Sequence, residues 1–218
     1  MPKLTTKAVI FDMDGTIVDN MHIHIDTWLI FLKQHNVHLD KSAFMKLNHG
    51  TMRQIVSRVF ELDIHDPNVI RMGEAKEQFY RNTYRNNIRE IPGMIKTLNQ
   101  LNANGIQCAL ATMGHKPNID LIIDELQIRH FFETIIGGHQ VKKGKPDPEI
   151  FNLILKNLNK KPEDCIVIED SLSGVQAARN ANIKTIGITT THTKEELMDH
   201  GCITAISDYN DHNLMLYF

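Results

Sequence analysis

The sequence has little of several features that mark specialised classes of protein. Its 218 residues include three cysteines and one tryptophan, and 24 basic side chains nearly balance 26 acidic ones, for a formal net charge of −2. No apolar run approaches the length that a membrane span needs. Because the basic and acidic side chains nearly cancel, the sequence shows no excess of positive charge for binding nucleic acid. We therefore expect neither a membrane protein nor a nucleic-acid-binding protein.

The cysteines and histidines also limit which kinds of thiol or metal site we expect. Cys108, Cys165 and Cys202 each lie in or beside a strand-like run, and an odd number in such places indicates reduced, buried thiols and a cytoplasmic protein. A reactive thiol is the weaker alternative. The twelve histidines show no zinc-site spacing. Residues 1–7 lead directly into the first strand-like run, so we expect no cleaved signal peptide. For the oligomeric state, a monomer is the default expectation.

What is present is an alternation of strand-like and helix-like segments. Apolar, β-prone runs recur at residues 8–11, 107–112, 134–136, 165–169 and 184–188. Helical periodicity fills the gaps between the later runs. Such alternation predicts βα units and a parallel sheet with right-handed crossovers. The expected fold class is therefore α/β, a doubly wound, Rossmann-like sheet.

The gap after the first strand is different, because it holds roughly eighty residues without a convincing strand. Helical spacing covers residues 21–36, 52–60 and 68–86 instead. We therefore predict an α-helical insertion after strand one. Residues 1–18 and 90–218 would form the core domain, and residues 19–89 a helical cap domain that acts as a lid over the crevice at Asp12.

Acidic side chains follow the first strand at its expected end. Asp12 and Asp14 come directly after the apolar run 8–11, and Gly15 permits a sharp turn with positive φ. Open α/β sheets bind ligands at the carboxyl ends of their strands. The pair of acids therefore predicts an active site.

Three later segments also carry polar residues at or just after strand ends: Thr112, Lys145, and Glu169 with Asp170. In a doubly wound sheet these ends share one edge, so the side chains should converge. Each has a simpler interpretation when taken alone. Thr112 or Asp170-Ser171 could cap a helix, and Lys145, near two other lysines, could be solvated. Their joint occurrence favours a site.

Phosphoryl transfer is the chemistry that needs this set. The ionised Asp12 could attack phosphorus directly, while Asp14 could protonate the leaving group and later accept a proton from water. Thr112 could donate a hydrogen bond to a phosphoryl oxygen, and Lys145 would supply fixed positive charge. Asp12 and Asp170 are hard ligands suited to Mg²⁺, with the Asp14 carbonyl and Glu169 nearby.

The four segments resemble the four motifs of the haloacid dehalogenase superfamily of phosphohydrolases. The run Asp12-Met13-Asp14-Gly15-Thr16 resembles the first motif, Thr112 the second, Lys145 the third and Glu169-Asp170 the fourth. The resemblance covers essentially the whole chain. It implies an aspartyl-phosphate intermediate, a Mg²⁺ requirement and a cap that opens and closes. The second acid, Asp14, argues against the dehalogenases themselves, which lack it and work without metal.

The chain is most similar to the β-phosphoglucomutase-like branch. Residues 19–24, followed by Trp28, resemble the first cap helix, where a histidine at the position of His24 helps to position the acid/base aspartate. Arg53 follows a glycine loop like the one whose arginine holds the distal phosphate of a sugar bisphosphate. Lys76 resembles a cap lysine. Helix packing is the simpler role for Trp28, and His24 could equally lie at the surface.

The same resemblance supplies the remaining candidates for substrate binding, Met113 and Gly114, which follow the second motif. Two departures argue against mutase activity. The second motif continues as Thr112-Met113-Gly114-His115-Lys116, whereas the mutases carry a serine and an asparagine in this segment, and Thr16 replaces an apolar branched residue.

We therefore expect a Mg²⁺-dependent hydrolase of small phosphomonoesters, with sugar phosphates as one candidate class. A β-phosphoglucomutase-type sugar-phosphate mutase is the main alternative. A non-enzymatic phospho-acceptor, similar to response-regulator receivers, is a distant one. A phosphonate hydrolase would require Lys76 to form a Schiff base, although lysines on helices are usually solvated.

Overall fold

The computed structural model describes residues 6–218. Residues 1–5, on which the expectation about a signal peptide depends, lie outside the described part. The chain divides into two units. One contains the described residues up to Asp19 together with Arg89–Phe218, and the other is Asn20–Ile88. Within residues 6–218, we find no helix with the length and apolar character that crossing a bilayer requires.

The second unit, here the helical unit, consists of packed helices. Its α-helices are α1 (Met21–Gln34), α2 (Lys41–Leu47), α3 (Met52–Phe60) and α4 (Pro67–Tyr84). The seven-residue α2 is absent from the sequence-based expectation, because it is short. Asp40 begins it by accepting a hydrogen bond from the Ala43 N–H. Trp28 is buried against Phe31 and Phe44, so the packing role expected for it is confirmed.

The first unit, here the sheet unit, is built around a parallel sheet. Across residues 6–218 the sheet has six strands in the order β3-β2-β1-β4-β5-β6. They are β1 (Ala8–Phe11), β2 (Gln107–Ala111), β3 (Phe132–Ile136), β4 (Cys165–Glu169), β5 (Lys184–Ile188) and β6 (Thr204–Ile206). The α/β fold class is confirmed. The sequence did not predict β6, whose three residues depend on pairing with β5.

Helices accompany the strands of this unit. They are α5 (Met94–Ala103), α6 (Lys116–Glu125), α7 (Glu149–Leu158), α8 (Leu172–Asn180) and α9 (Lys194–Asp199). Short 3₁₀ turns complete the chain at Arg85–Asn87, Arg129–Phe131, Gly138–Gln140, Pro162–Asp164 and Leu214–Tyr217.

The strand order determines where a ligand can be bound. β1 pairs with β2 on one side and β4 on the other, and the order reverses between β1 and β4. In open α/β sheets such a switch point opens a crevice at the carboxyl ends of the strands. The residues that follow β1, β2 and β4 therefore lie side by side at this edge.

The three cysteines lie in the interior of the sheet unit. Cys108 is in β2, Cys165 is in β4 and Cys202 precedes β6, and each is a buried, free thiol. Burial raises the pKa of Cys108 and Cys202 to about 12 and that of Cys165 to about 11. The expectation of buried thiols is confirmed, and the raised pKa values disfavour the reactive thiolate.

Candidate active site

A cluster of buried carboxylates and one lysine lies at the carboxyl edge of the sheet. Asp12 follows β1, and Glu169 and Asp170 lie at the end of β4. One carboxylate oxygen from each of the three residues lies within 4.8 Å of the other two. The Lys145 ammonium donates hydrogen bonds to Asp12 Oδ1 at 2.6 Å, to Glu169 Oε2 at 2.7 Å and to the Ala111 carbonyl at 3.1 Å. Lys145 is 5% exposed, so the alternative of a solvated lysine is wrong.

The charges in this cluster perturb one another strongly. Burial and the nearby Glu169 raise the pKa of Asp12, against the opposing effect of Lys145. Burial, Glu169 and Asp12 likewise raise the pKa of Asp170. Burial alone would lower the pKa of Lys145, but its two acidic neighbours outweigh burial and raise it. Perturbed groups of this kind in a sheet crevice are typical of functional sites.

The donor set fits a divalent cation. The Lys145 ammonium pairs with two of the three buried carboxylates, Asp12 and Glu169, so the cluster carries excess negative charge when its acids are ionised. Carboxylate oxygens are hard ligands, and Mg²⁺ prefers such oxygens. An ion between them would supply the missing positive charge. Asp12, Glu169 and Asp170 are therefore the residues that could hold Mg²⁺.

Two glycines make room for the acidic pair at the end of β4. Gly15 has φ +82°, and a Cβ there would lie 2.2 Å from Asp170 Oδ2. Gly174 lies in α8, and a Cβ on it would lie 2.0 Å from the Glu169 carboxylate carbon. No larger residue fits either position without displacing a carboxylate.

Ser171 resolves the capping alternative for Asp170. The Ser171 side chain begins α8 by accepting a hydrogen bond from the Gly174 N–H at 3.1 Å. The Ser171 N–H and hydroxyl both donate to Glu169 Oε1, at 3.1 and 2.8 Å. Because Ser171 supplies the cap, the Asp170 carboxylate belongs to the acidic cluster instead.

The loop after β2 brings the second motif beside the first. Thr112 Oγ1 accepts a hydrogen bond from the Gly114 N–H at 2.9 Å, and α6 begins only at Lys116, so Thr112 does not cap that helix. Asp14 is half-buried, and its Oδ2 lies 3.4 Å from the position that a Cβ on Gly114 would take. The Met113 carbonyl packs against Gly138. Asp14, Thr112 and Gly114 therefore lie close together at the carboxyl edge of the sheet.

The candidates of the helical unit surround a buried lysine. Lys76 is fully buried, so the expectation that it is solvated is wrong. It donates to Glu77 Oε1 at 2.9 Å, and its ammonium lies 3.3 Å from His24 Nδ1. The half-buried His24 ring stacks on Tyr80 with ring centres 3.7 Å apart. Arg53 is exposed in the first turn of α3.

Sequence reasoning did not anticipate the hydroxyl contacts made at or beside the cluster. The Thr191 hydroxyl donates to Asp170 Oδ2, and the adjacent Thr190 hydroxyl donates to the Gly15 carbonyl. The buried Thr16 hydroxyl lies 3.5 Å from Asp170 Oδ1, a long hydrogen bond. The available signal was a run of threonines directly after the expected strand 184–188.

The chain is similar to known proteins over most of its length. Residues 9–188 match the family model for haloacid dehalogenase-like hydrolases. The chain is 30% identical over 181 residues to a phosphorylated carbohydrates phosphatase of Thermotoga maritima, covering 83% of each chain. It is 28% identical over 190 residues to a β-phosphoglucomutase of Bacillus subtilis, covering 84% of this chain and 83% of the relative.

A solved structure shares the fold over almost the entire length. The crystal structure of a haloacid dehalogenase-type hydrolase, family IA, variant 3, from Entamoeba histolytica superposes with a TM-score of 0.88. The two chains are 28% identical, and the match covers 97% of each.

Proposed function

Since the chain belongs to the haloacid dehalogenase-like hydrolase family, we propose that it hydrolyses small phosphomonoesters with Mg²⁺ and through an aspartyl-phosphate at Asp12. The observation that carries this proposal is the buried cluster of Asp12, Glu169 and Asp170, in which the Lys145 ammonium bonds to Asp12 and Glu169. Similarity to a phosphorylated carbohydrates phosphatase supports sugar phosphates as the substrate class. Relatives that are enzymes argue against a non-enzymatic phospho-acceptor.

We assign the metal to the carboxylates of Asp12, Glu169 and Asp170, with the Asp14 carbonyl as a further ligand. When bound, Mg²⁺ would offset the repulsion between these carboxylates and an incoming phosphate. The buried, acid-rich donor set supports this assignment. The three buried, free cysteines also support a cytoplasmic protein, because cytoplasmic thiols are kept reduced.

The first half-reaction transfers the phosphoryl group to the protein. A carboxylate oxygen of Asp12 attacks phosphorus, and the bond between phosphorus and the ester oxygen breaks. Asp14 donates its proton to that departing oxygen, so the product leaves as a neutral alcohol. The half-buried setting of Asp14 beside the second-motif loop supports this role.

The second half-reaction returns the phosphoryl group to water. Asp14, now a carboxylate, accepts a proton from a water molecule as the water oxygen attacks phosphorus. The bond between phosphorus and the Asp12 oxygen breaks, which regenerates Asp12 and releases inorganic phosphate. The same carboxyl group therefore acts as acid and then as base.

Two further residues stabilise the charge that moves during transfer. Lys145 holds a fixed positive charge 2.6 Å from the attacking residue, in a site from which water is largely excluded. There its effect on a phosphoryl oxygen is larger than in bulk water. Thr112 accepts a hydrogen bond from Gly114, so it can donate its own hydroxyl proton to a phosphoryl oxygen.

The helical unit is proposed to be the cap domain, made of residues 19–89, and to select the substrate. His24, Arg53 and Lys76 are its proposed contributors, and Met113 with Gly114 are those of the sheet unit. The buried Lys76 with its His24 contact supports a specific role rather than a solvated surface. Substitution of the exposed Arg53 by alanine should raise KM for a sugar bisphosphate more than KM for a simple aryl phosphate.

A sugar-phosphate mutase is the second candidate function, favoured by the similarity to a β-phosphoglucomutase. Against it stands residue Thr16, whose buried hydroxyl approaches Asp170 where the mutases carry an apolar side chain. A coupled assay with β-glucose 1-phosphate and a bisphosphate primer separates the two. A hydrolase releases inorganic phosphate, whereas a mutase produces glucose 6-phosphate.

Phosphate release tests the proposed function directly. Purified protein is assayed with p-nitrophenyl phosphate and a panel of sugar phosphates, in Mg²⁺ or in EDTA. We expect activity that depends on Mg²⁺ and is lost in Asp12→Asn. The matched control is Asp26→Asn, which makes the same chemical change at an exposed residue of α1. Full activity of Asp12→Asn would refute the proposal.

A further inference from the structure

Three consecutive threonines follow β5, and their hydroxyl groups contact three different segments. The Thr191 hydroxyl donates to Asp170 Oδ2, and the Thr190 hydroxyl donates to the Gly15 carbonyl. The Thr189 hydroxyl donates to the Ile206 carbonyl at 3.3 Å, which belongs to β6. Of the three, Thr191 is therefore the one that contacts a carboxylate of the buried cluster.

The Asp170 carboxylate is held from several directions. Its Oδ1 lies 3.5 Å from the Thr16 hydroxyl, its Oδ2 accepts from Thr191, and Gly15 packs directly against it. Asp170 is 2% exposed, so bulk water does not orient this group. A side-chain aspartate can otherwise rotate about two bonds. The hydrogen bond from Thr191, which follows β5, therefore fixes which way the Asp170 oxygens point.

We propose that Thr191 is a positioning residue for the metal, acting through its hydrogen bond to Asp170, an inference that rests on the proposed Mg²⁺ site. A carboxylate has two oxygens, so Oδ2 can accept from Thr191 while the group also binds a cation. Hydrogen bonds to ligating carboxylates orient the ligand, and their removal commonly weakens metal binding about 10–100-fold. Thr191 fulfils this role from the segment after β5, whereas Asp170 follows β4.

The experiment is a direct Mg²⁺ titration of the protein without substrate, by calorimetry, on four forms of the chain. Thr191→Val removes the hydroxyl and keeps the side-chain shape. Thr191→Ser keeps the hydroxyl. Thr189→Val is the matched control, because it removes a hydroxyl from the same turn that contacts only a backbone carbonyl. Far-UV circular dichroism checks folding, and Thr191→Ala replaces Thr191→Val if the latter does not fold.

We expect Mg²⁺ to bind Thr191→Val about 10–100-fold more weakly than wild type, whereas Thr191→Ser and Thr189→Val bind like wild type. Equal affinity of Thr191→Val and wild type would overturn the inference and leave the proposed function intact. So would a Thr191→Ser variant as weak as Thr191→Val, because the hydroxyl would then not be the cause. Absence of binding by the wild-type protein would refute the Mg²⁺ site itself.

Discussion

The Lys145 ammonium lies 2.6 Å from Asp12 Oδ1, although 133 positions separate the two residues in the chain. Lys145 lies in the segment between β3 and α7, and β3 is separated from β1 by β2 alone, so this segment can reach Asp12 along the shared edge of the sheet. Lys145 also contacts Glu169 and the carbonyl that ends β2. The lysine therefore joins three strand ends and is the residue on which the charge balance of the cluster depends.

Lys145→Met removes that charge while keeping much of the side-chain volume. Groups that stabilise the charge of a transition state commonly contribute about 100-fold or more to kcat. We therefore expect kcat for phosphate release to fall by at least that factor. Steady-state kinetics measure it. Lys142→Met is the control, because Lys142 is exposed in the same loop. Comparable kcat values for the two variants would contradict the role of Lys145.

Gly15→Ala tests whether the first-motif turn must leave room for Asp170. An alanine at positive φ costs about 1 kcal/mol at any site, and a Cβ at position 15 would also meet Asp170 Oδ2. We expect Gly15→Ala to lose about 2 kcal/mol or more of unfolding free energy in urea, together with Mg²⁺ binding. Gly105→Ala separates the two causes, since Gly105 has φ +71° and open space around its Cβ position. Equal destabilisation of both variants would show that the Asp170 contact is unimportant.

Some elements and contacts of the fold are signalled locally in the sequence, whereas others depend on neighbouring elements. The β1 strand and the acids that follow it are local signals, and the parallel topology then predicts that the segments following the other strands meet them at one edge of the sheet. Thr191 gave no comparable signal, because a threonine after a strand is common and its partner Asp170 lies in a different loop. The helix α2 and the strand β6 are too short for periodicity and depend on neighbouring elements. The catalytic and substrate-binding roles of individual residues stay predictions.

Glu77→Gln tests the buried pair of the helical unit. Lys76 and Glu77 are both buried and lie 2.9 Å apart, so the substitution leaves the Lys76 ammonium without its carboxylate partner. Breaking a buried ion pair costs about 3 kcal/mol or more. Urea unfolding, followed by the fluorescence of Trp28, measures the loss, because this single tryptophan lies 4.8 Å from the Lys76 ammonium. Glu74→Gln, on the exposed face of the same helix, should change stability by less than about 0.5 kcal/mol.

The cysteines supply a prediction about pH. Raising the pH from about 7 to about 9 strongly accelerates the reaction of an ordinary thiol, whose pKa is about 8.5. Burial raises the pKa of Cys108 and Cys202 to about 12, so these groups stay protonated throughout this range in the folded state. We expect slow reaction of the folded protein with a thiol reagent at both pH values, and fast reaction of all three thiols in denaturant. A thiol that reacts rapidly in the folded protein would restore the alternative of a reactive cysteine.

Covalent capture of the phosphoryl group tests the central claim most directly. The protein is mixed with substrate and Mg²⁺, quenched in acid during turnover, and digested for peptide mass spectrometry. The account predicts one phosphoryl group on the peptide that contains Asp12, in wild type and in Asp14→Asn, and none in Asp12→Asn. Release of phosphate by the wild-type protein with no phosphoryl group ever found at Asp12 would contradict it.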